Sequence, residues 1–151
     1  MTNIILGVIG IVLAAAATLI VVNYGGDYYV DAHNDGVSMN VENALANVYT
    51  AYGLHEMKVG SAPGELADML DEGSGTLDFV PTVGSGMVFD EDWSDIEVDG
   101  VSRRVATISN VPSGTCLSMN LRTGKQSVPS AASGPIGCYS TPNGMTAYKT
   151  L

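Results

Sequence analysis

The sequence predicts an α+β fold made of a long N-terminal helix, a small antiparallel sheet and a disulfide-tied C-terminal region. Three observations carry that prediction. The chain opens on an apolar run from Ile4 to Val22 and, after a polar gap, resumes with an apolar stripe of helical spacing. Short alternating segments joined by a tight-turn dipeptide follow between Met87 and Ile108. Both cysteines, Cys116 and Cys138, lie in the last third of the chain.

From Met1 to Gly26 no side chain is charged, and in the run IILGVIGIVLAAAATLIVV only Thr18 is polar. As a helix the run rises about 28 Å, close to the hydrocarbon thickness of a bilayer. Residues 1–26 therefore read as a transmembrane helix. A cleavable signal peptide is the competing reading, but it wants a basic n-region, a shorter apolar stretch and a small-x-small exit. No Lys or Arg precedes the run, and NYGGDYYVD follows it. With no flanking basic residue to set orientation, the acidic continuation through Asp27, Asp31 and Asp35 and the two cysteines point to an extracytoplasmic C-terminal part.

Residues 27–60 read as a linker followed by an amphipathic helix. Gly25-Gly26 and Asp35-Gly36 mark breaks or flexible points. Beyond them Val37, Val41, Leu45, Val48, Tyr52 and His55 draw one apolar stripe, with Ser38 or Asn40 as cap candidates. Gly60 and Pro63-Gly64 end it. Residues 61–151 then form the globular domain. A short helix is expected at Glu65 to Leu70, and a loop from Gly73 to Gly86 with a brief extended piece at Leu77 to Val80. Strands are expected at Met87 to Phe89, Asp95 to Val98 and Arg104 to Ile108, with Asp99-Gly100 as a type I′ hairpin turn. A helix starts near Pro112, carries Cys116 and sets Leu117 and Leu121 one turn apart. Ser127 to Pro142 reads as an ordered loop, and Met145 to Leu151 as a closing strand.

Two cysteines in an extracytoplasmic domain most simply form one disulfide; two buried free thiols are the alternative. Neither His33 nor His55 stands at a ligand-like spacing from either cysteine. All sixteen acidic residues lie between Asp27 and Asp99, where Lys58 is the only base. Arg103, Arg104, Arg122, Lys125 and Lys149 follow in a stretch without an acid. A net charge of −10 disfavours nucleic-acid binding. The charge segregation is satisfied either within one molecule or between neighbours in an assembly, where Arg103 and Arg104 on one copy and Asp90 and Asp92 on the next are the candidates.

Asp90-Glu91-Asp92 with Asp95 offers hard oxygen ligands at short spacing, but not in the EF-hand pattern, so a solvated acidic loop is expected, with Trp93 as its packing anchor. No phosphate loop, dinucleotide fingerprint, nucleophile elbow or catalytic triad is present. The expectation is a non-enzymatic protein without a cofactor or metal.

The order of parts resembles the type IV pilins, in particular the type IVb class. The start MTNIILGVIGIVLAAAATL is similar to a mature pilin of that class, and VATISNVPSGTCLSMNL is similar to its strand, Pro turn and Cys-bearing helix, with Cys116 and Cys138 matching its two cysteines. The resemblance implies a helix whose second half packs on the sheet and whose apolar half enters a filament core. Gly7, Gly10, Ala14 and Ala17 would let neighbouring helices approach there. It further implies a processed N-terminus with Met1 as a candidate for N-methylation. The implied partners are further copies in a helical filament, a prepilin peptidase and the pilus assembly machinery. The subunit would reside in a bacterial inner membrane before entering an extracellular pilus. The family usually has Glu at the fifth mature position; this chain has Ile5. Some pilin-like subunits, tip-initiating minor ones included, lack that Glu. An anchored extracytoplasmic binding module and a minor pilin or pseudopilin of a secretion system are the alternative functions.

Overall fold

The computed structural model describes residues 2–70, 75–84 and 86–151, and within the first helix the side chains of residues 2–11, 19–24 and 28 lie outside the description. Met1 also lies outside it. Two compact units are present, Met1–His33 and Asn34–Leu151. Helix α1, Thr2–Val59, supplies the first unit and the opening element of the second.

In the first unit the described apolar side chains are exposed. Val12 and Leu13 are 60% and 63% exposed, and Ala14 to Ala17 are exposed beside them. Thr18 Oγ1 donates to the Ala14 carbonyl at 2.8 Å, which satisfies the one polar side chain of the run inside its own helix. Among the described residues no helix is long and apolar enough to cross a membrane. Residues 4–11 and 19–22, most of the expected span, fall where no side chain is described.

In the second unit the expected stripe is the core-facing surface of α1. Val41, Leu45 and Val48 are fully buried and Ala44, Ala51 and His55 nearly so, with Val37 and Tyr52 partly covered. The helix passes through Gly25-Gly26 and Asp35-Gly36, where the sequence predicts breaks. At Gly36 the reason is tertiary: the packed stripe begins one residue later, and Arg122 donates to the Asp35 carbonyl and to the Ser38 hydroxyl. Packing there overrides a weak local propensity. Ser38 accordingly sits inside the helix, its Oγ donating to the Asp35 carbonyl at 2.9 Å, and caps nothing. Gly60, with φ +80°, ends α1 where expected, its N–H reaching the Glu56 carbonyl at 2.9 Å.

Helix α2 is the single turn Ala67–Leu70; Leu66 and Met69 are buried around it. Leu77, expected in an extended piece, instead donates its N–H to the Met69 carbonyl at 3.0 Å and packs on the core from a loop. The sheet contains β1 (Val88–Phe89), β2 (Ser94–Val98), β3 (Val101–Ser109), β4 (Ile136–Thr141) and β5 (Gly144–Thr150), all antiparallel. Their order is β1-β3-β5-β4, with β2 also paired to β3. Asp99 and Gly100 turn β2 into β3 with φ of +53° and +76°, as a type I′ hairpin requires.

Strand alternation divides the buried residues in two. Phe89, Ala106, Ile108, Cys138 and Ala147 join the α1 stripe in the main core. Val98, Val105, Ala132 and Tyr148 form a smaller cluster, with Ile96 and Tyr139 against it. The stretch from Ser127 to Pro142 is more than a loop: its second half is β4, which pairs with β5 through a tight turn at Pro142-Asn143. Gly137, Cys138 and Ser140 hid a strand that one helix covers. Helix α3, Ser113–Arg122, buries Thr115, Cys116, Met119 and Asn120. Leu117 and Leu121, one turn apart, are exposed on its outer side.

Gly36 has φ outside the left-handed region, and an added Cβ meets nothing within 4 Å. Gly36→Ala should therefore stabilise the fold by about 1 kcal/mol, read as a higher urea midpoint at unchanged slope.

Candidate functional site

The Cys116–Cys138 disulfide ties α3 to β4, with Cα atoms 5.4 Å apart. Beside it the buried Asn120 side chain completes the same junction. Its Nδ2 donates to the Cys138 carbonyl at 2.8 Å and to the Ser127 carbonyl at 3.3 Å, and its Oδ1 accepts the Cys138 N–H at 3.0 Å. β4 pairs with β5 on one side only, so Asn120 satisfies the backbone groups on its open side. The helix ends in a Schellman motif: Lys125 N–H reaches the Asn120 carbonyl at 2.9 Å and Gly124 N–H the Leu121 carbonyl at 3.1 Å, with Gly124 at φ +82°. Nothing in the sequence reading singled out Asn120. An amide inside an otherwise apolar helical face is the signal that it carries a satisfied network.

Acidic and basic stretches meet within the chain. Arg122 pairs with Glu42 at 3.0 Å and with Asp35 at 3.8 Å, joining the end of α3 to α1, and Ser118 Oγ donates to Asp35 Oδ1. Arg104 lies 3.7 Å from Asp95, its cross-strand neighbour on β2. Asp90 accepts hydrogen bonds from Thr107 Oγ1 at 2.6 Å and Ser109 Oγ at 2.9 Å. Asp92 is exposed and bridges Glu65 through its backbone. Arg103, opposite Ile96, is exposed and has no ion pair among the described residues. Of the four charge candidates, Arg103 and Asp92 make no side-chain ion pair among the described residues, while Arg104 is paired with Asp95 and Asp90 is held by hydroxyls. Ala14 and Ala17 are exposed; Gly7, Gly10 and Met1 fall outside the described side chains.

No protein family, curated protein or solved structure matches the chain. Its chemistry therefore rests on the residues themselves. Among the described residues no group of three or more His, Cys, Asp or Glu is placed to hold a metal ion. His55 packs in the core, its Nδ1 buried with no hydrogen-bond partner, and His33 is exposed on α1. Trp93 donates from Nε1 to the Pro63 carbonyl at 3.0 Å and meets Tyr52 edge-on at 5.9 Å, so the acidic loop is pinned by its tryptophan.

Uncovered apolar surface lies on two helices of the second unit. On α1, Tyr49, Leu54 and Met57 stand out, Met57 being 77% exposed, and with Leu151 they line an open groove of about 350 Å³. On α3 the exposed pair is Leu117 and Leu121. Lys149 Nζ sits 4.6 Å from the Tyr49 ring centroid, so one cation already caps part of the α1 surface.

Among the described residues three groups have displaced pKa values. Burial holds the Lys125 ammonium below its ordinary value, against the pull of Asp99; its Nζ donates to the Ser133 carbonyl and lies 2.7 Å from where a Cβ on Gly137 would stand. Burial raises the Tyr148 phenol, whose OH donates to the Ser133 carbonyl at 2.6 Å, and burial with the nearby Asp90 charge raises Tyr139.

Asn120→Ala should cost about 3 kcal/mol, because it leaves a buried N–H and two carbonyls without their partner; calorimetric or denaturant unfolding measures it. In a spectrophotometric titration, Tyr148→Phe should remove a phenol that ionises above its ordinary 10.0. The sign follows from the raised folded value: the contribution of this phenol to stability is whole below pH 10 and is lost as pH rises through its folded pKa.

Proposed function

We propose that the chain is a structural subunit of an extracellular filament of the type IV pilin kind, with residues 1–26 packed against other copies and residues 61–151 displayed outward. The carrying observation is the exposed apolar surface of the first unit at Val12, Leu13 and the run Ala14 to Ala17. Such a helix needs lipid before assembly and other helices after it, and its small residues suit close helix contact. The long helix packed on a small antiparallel sheet, with a disulfide at the sheet's far edge, supports the same reading. Exposed Leu117, Leu121 and Met57 supply apolar contact surface outside the core helix. In this reading Ile5 places the subunit outside the scheme in which a fifth-position carboxylate neutralises a neighbour's amine, so helix packing alone carries the core. The filament would serve surface adhesion, motility, DNA transfer or a related task, set by its motors and partners.

A membrane-anchored binding module is the second reading, and a specific observation favours it. The acidic and basic stretches already pair inside one chain through Arg104–Asp95 and Arg122–Glu42. Electrostatics therefore demands no neighbour.

Filaments sheared from cells should contain this chain, identified by mass spectrometry of its N-terminus. Arg103→Glu should lower their yield about tenfold or more while leaving the fold intact, since among the described residues Arg103 has no ion pair to lose. An unchanged yield removes the intersubunit charge pairing. Absence of the chain from sheared filaments under every growth condition, with ligand binding retained after deletion of residues 1–26, establishes the anchored module instead.

A further inference from the structure

We propose that the face of the sheet turned away from α1 carries a binding site for one neutral sugar ring, centred on Asp90. An open concavity of about 270 Å³ lies there. Its floor is the Asp90 carboxylate, held by two hydroxyls of β3: Thr107, itself buried, donates to Oδ2 at 2.6 Å, and Ser109 donates its one proton to a carboxylate oxygen at 2.9 Å. The Asp90 N–H, bonded to the Thr107 carbonyl at 3.0 Å, fixes the backbone as well. A carboxylate accepts about four hydrogen bonds, so roughly half of its capacity remains for a ligand. Among the described residues Asp90 has no cationic partner, unlike Asp35, Glu42 and Asp95.

The opposite wall comes from the β4–β5 hairpin, where Tyr139 stands across from Thr146 in register, with Thr141 and Asn143 toward the turn. Tyr139 rests edge-on against Tyr148 at 5.6 Å, so its ring is held in place. Its raised pKa keeps the phenol protonated and able to donate or accept.

The lining selects among ligand classes. It contains no Lys or Arg, and Asp90 repels negative charge, so an anion is excluded. Among the described residues no metal-binding group forms, which removes a cation bridge between carboxylates. An apolar ligand would strand the hydroxyls and amides. An organic amine would use Asp90 and leave the remaining wall unmatched. Vicinal hydroxyls, each both donor and acceptor, match a carboxylate floor and a hydroxyl and amide wall, and the charge-assisted bonds to Asp90 are the strong ones. Tyr139 adds an aromatic ring for the apolar side of the sugar. The space suits a single ring more than a chain of them.

The inference is independent of filament assembly, since the site lies within one chain. Its test is an amide-resolved NMR titration of the full chain, in micelles of a detergent without a sugar headgroup, with glucose, galactose, mannose and N-acetylglucosamine. At least one should shift the Thr107, Tyr139 and Thr146 amides saturably. Asp90→Asn should weaken that response about tenfold or more, and Thr146→Val should weaken it while leaving the Cys138 amide, across the β4 backbone, unmoved. Should Asp90→Asn fail to fold, Thr146→Val and Asn143→Ala carry the comparison. No saturable response to any of the four sugars, an equal response in the variants, or a response to ethanolamine alone overturns the proposal.

Discussion

Everything in the second unit depends on how the open side of one edge strand is closed. β4 has a hydrogen-bonded neighbour on one flank only, and α3 supplies the other by a disulfide and a single amide side chain. The two act on different terms. The disulfide restricts the unfolded chain, an effect of about 3 kcal/mol for a loop of this length. Asn120 acts on the folded state, because the Cys138 N–H and carbonyl it satisfies are buried and have no water to turn to. Once α3 is fixed, Arg122 at its end reaches Asp35, Ser38 and Glu42, and the same helix thereby fixes where the packed part of α1 begins. The order of dependence thus runs from the C-terminal strand back to the first helix.

Two independent surfaces result, one for each side of the sheet. The side facing α1 is a conventional apolar core in which Val41, Leu45 and Val48 meet Ala106, Ile108 and Ala147. The other side is mixed: a small cluster around Tyr148 lies next to the hydroxyl-lined ground around Asp90. A sheet that needs only one face for stability leaves the second free to be polar. That freedom is what permits a recognition surface without weakening the core.

Much of the second unit was legible in the sequence. The stripe from Val37 to His55 follows the helical period, and Asp99-Gly100 between alternating segments fixes a hairpin by its backbone requirement alone. Three features were not legible, for separable reasons. The continuity of α1 through Gly36 comes from Arg122, a residue distant in sequence. β4 lacks the β-branched alternation of its neighbours, since a disulfide, a glycine and a helix take the place of side-chain packing. Leu117 and Leu121 satisfy a helical spacing, yet Cys116 must face β4, and that rotates the pair outward. The site around Asp90 was equally hidden. Read in sequence, Asp90 belongs to an acidic run; in space its partners are Thr107 and Ser109 on another strand.

Closure of the sheet edges has a further consequence for how copies of this chain can associate. Along β4, Asn120 occupies the Cys138 backbone groups, and the Ser140 N–H is spent on the Pro129 carbonyl at 2.9 Å. On the far side β2 carries Asp95 and Glu97, and its last residue is bridged to Ala132. The partners already held by the β4 backbone and the charges on β2 work against templating by another chain. Self-association by strand addition is therefore disfavoured for the folded domain, and ordered assembly falls to side-chain contacts. Such contacts respond to ionic strength and to detergent, and they come apart reversibly, unlike the cross-strand ladders of an amyloid.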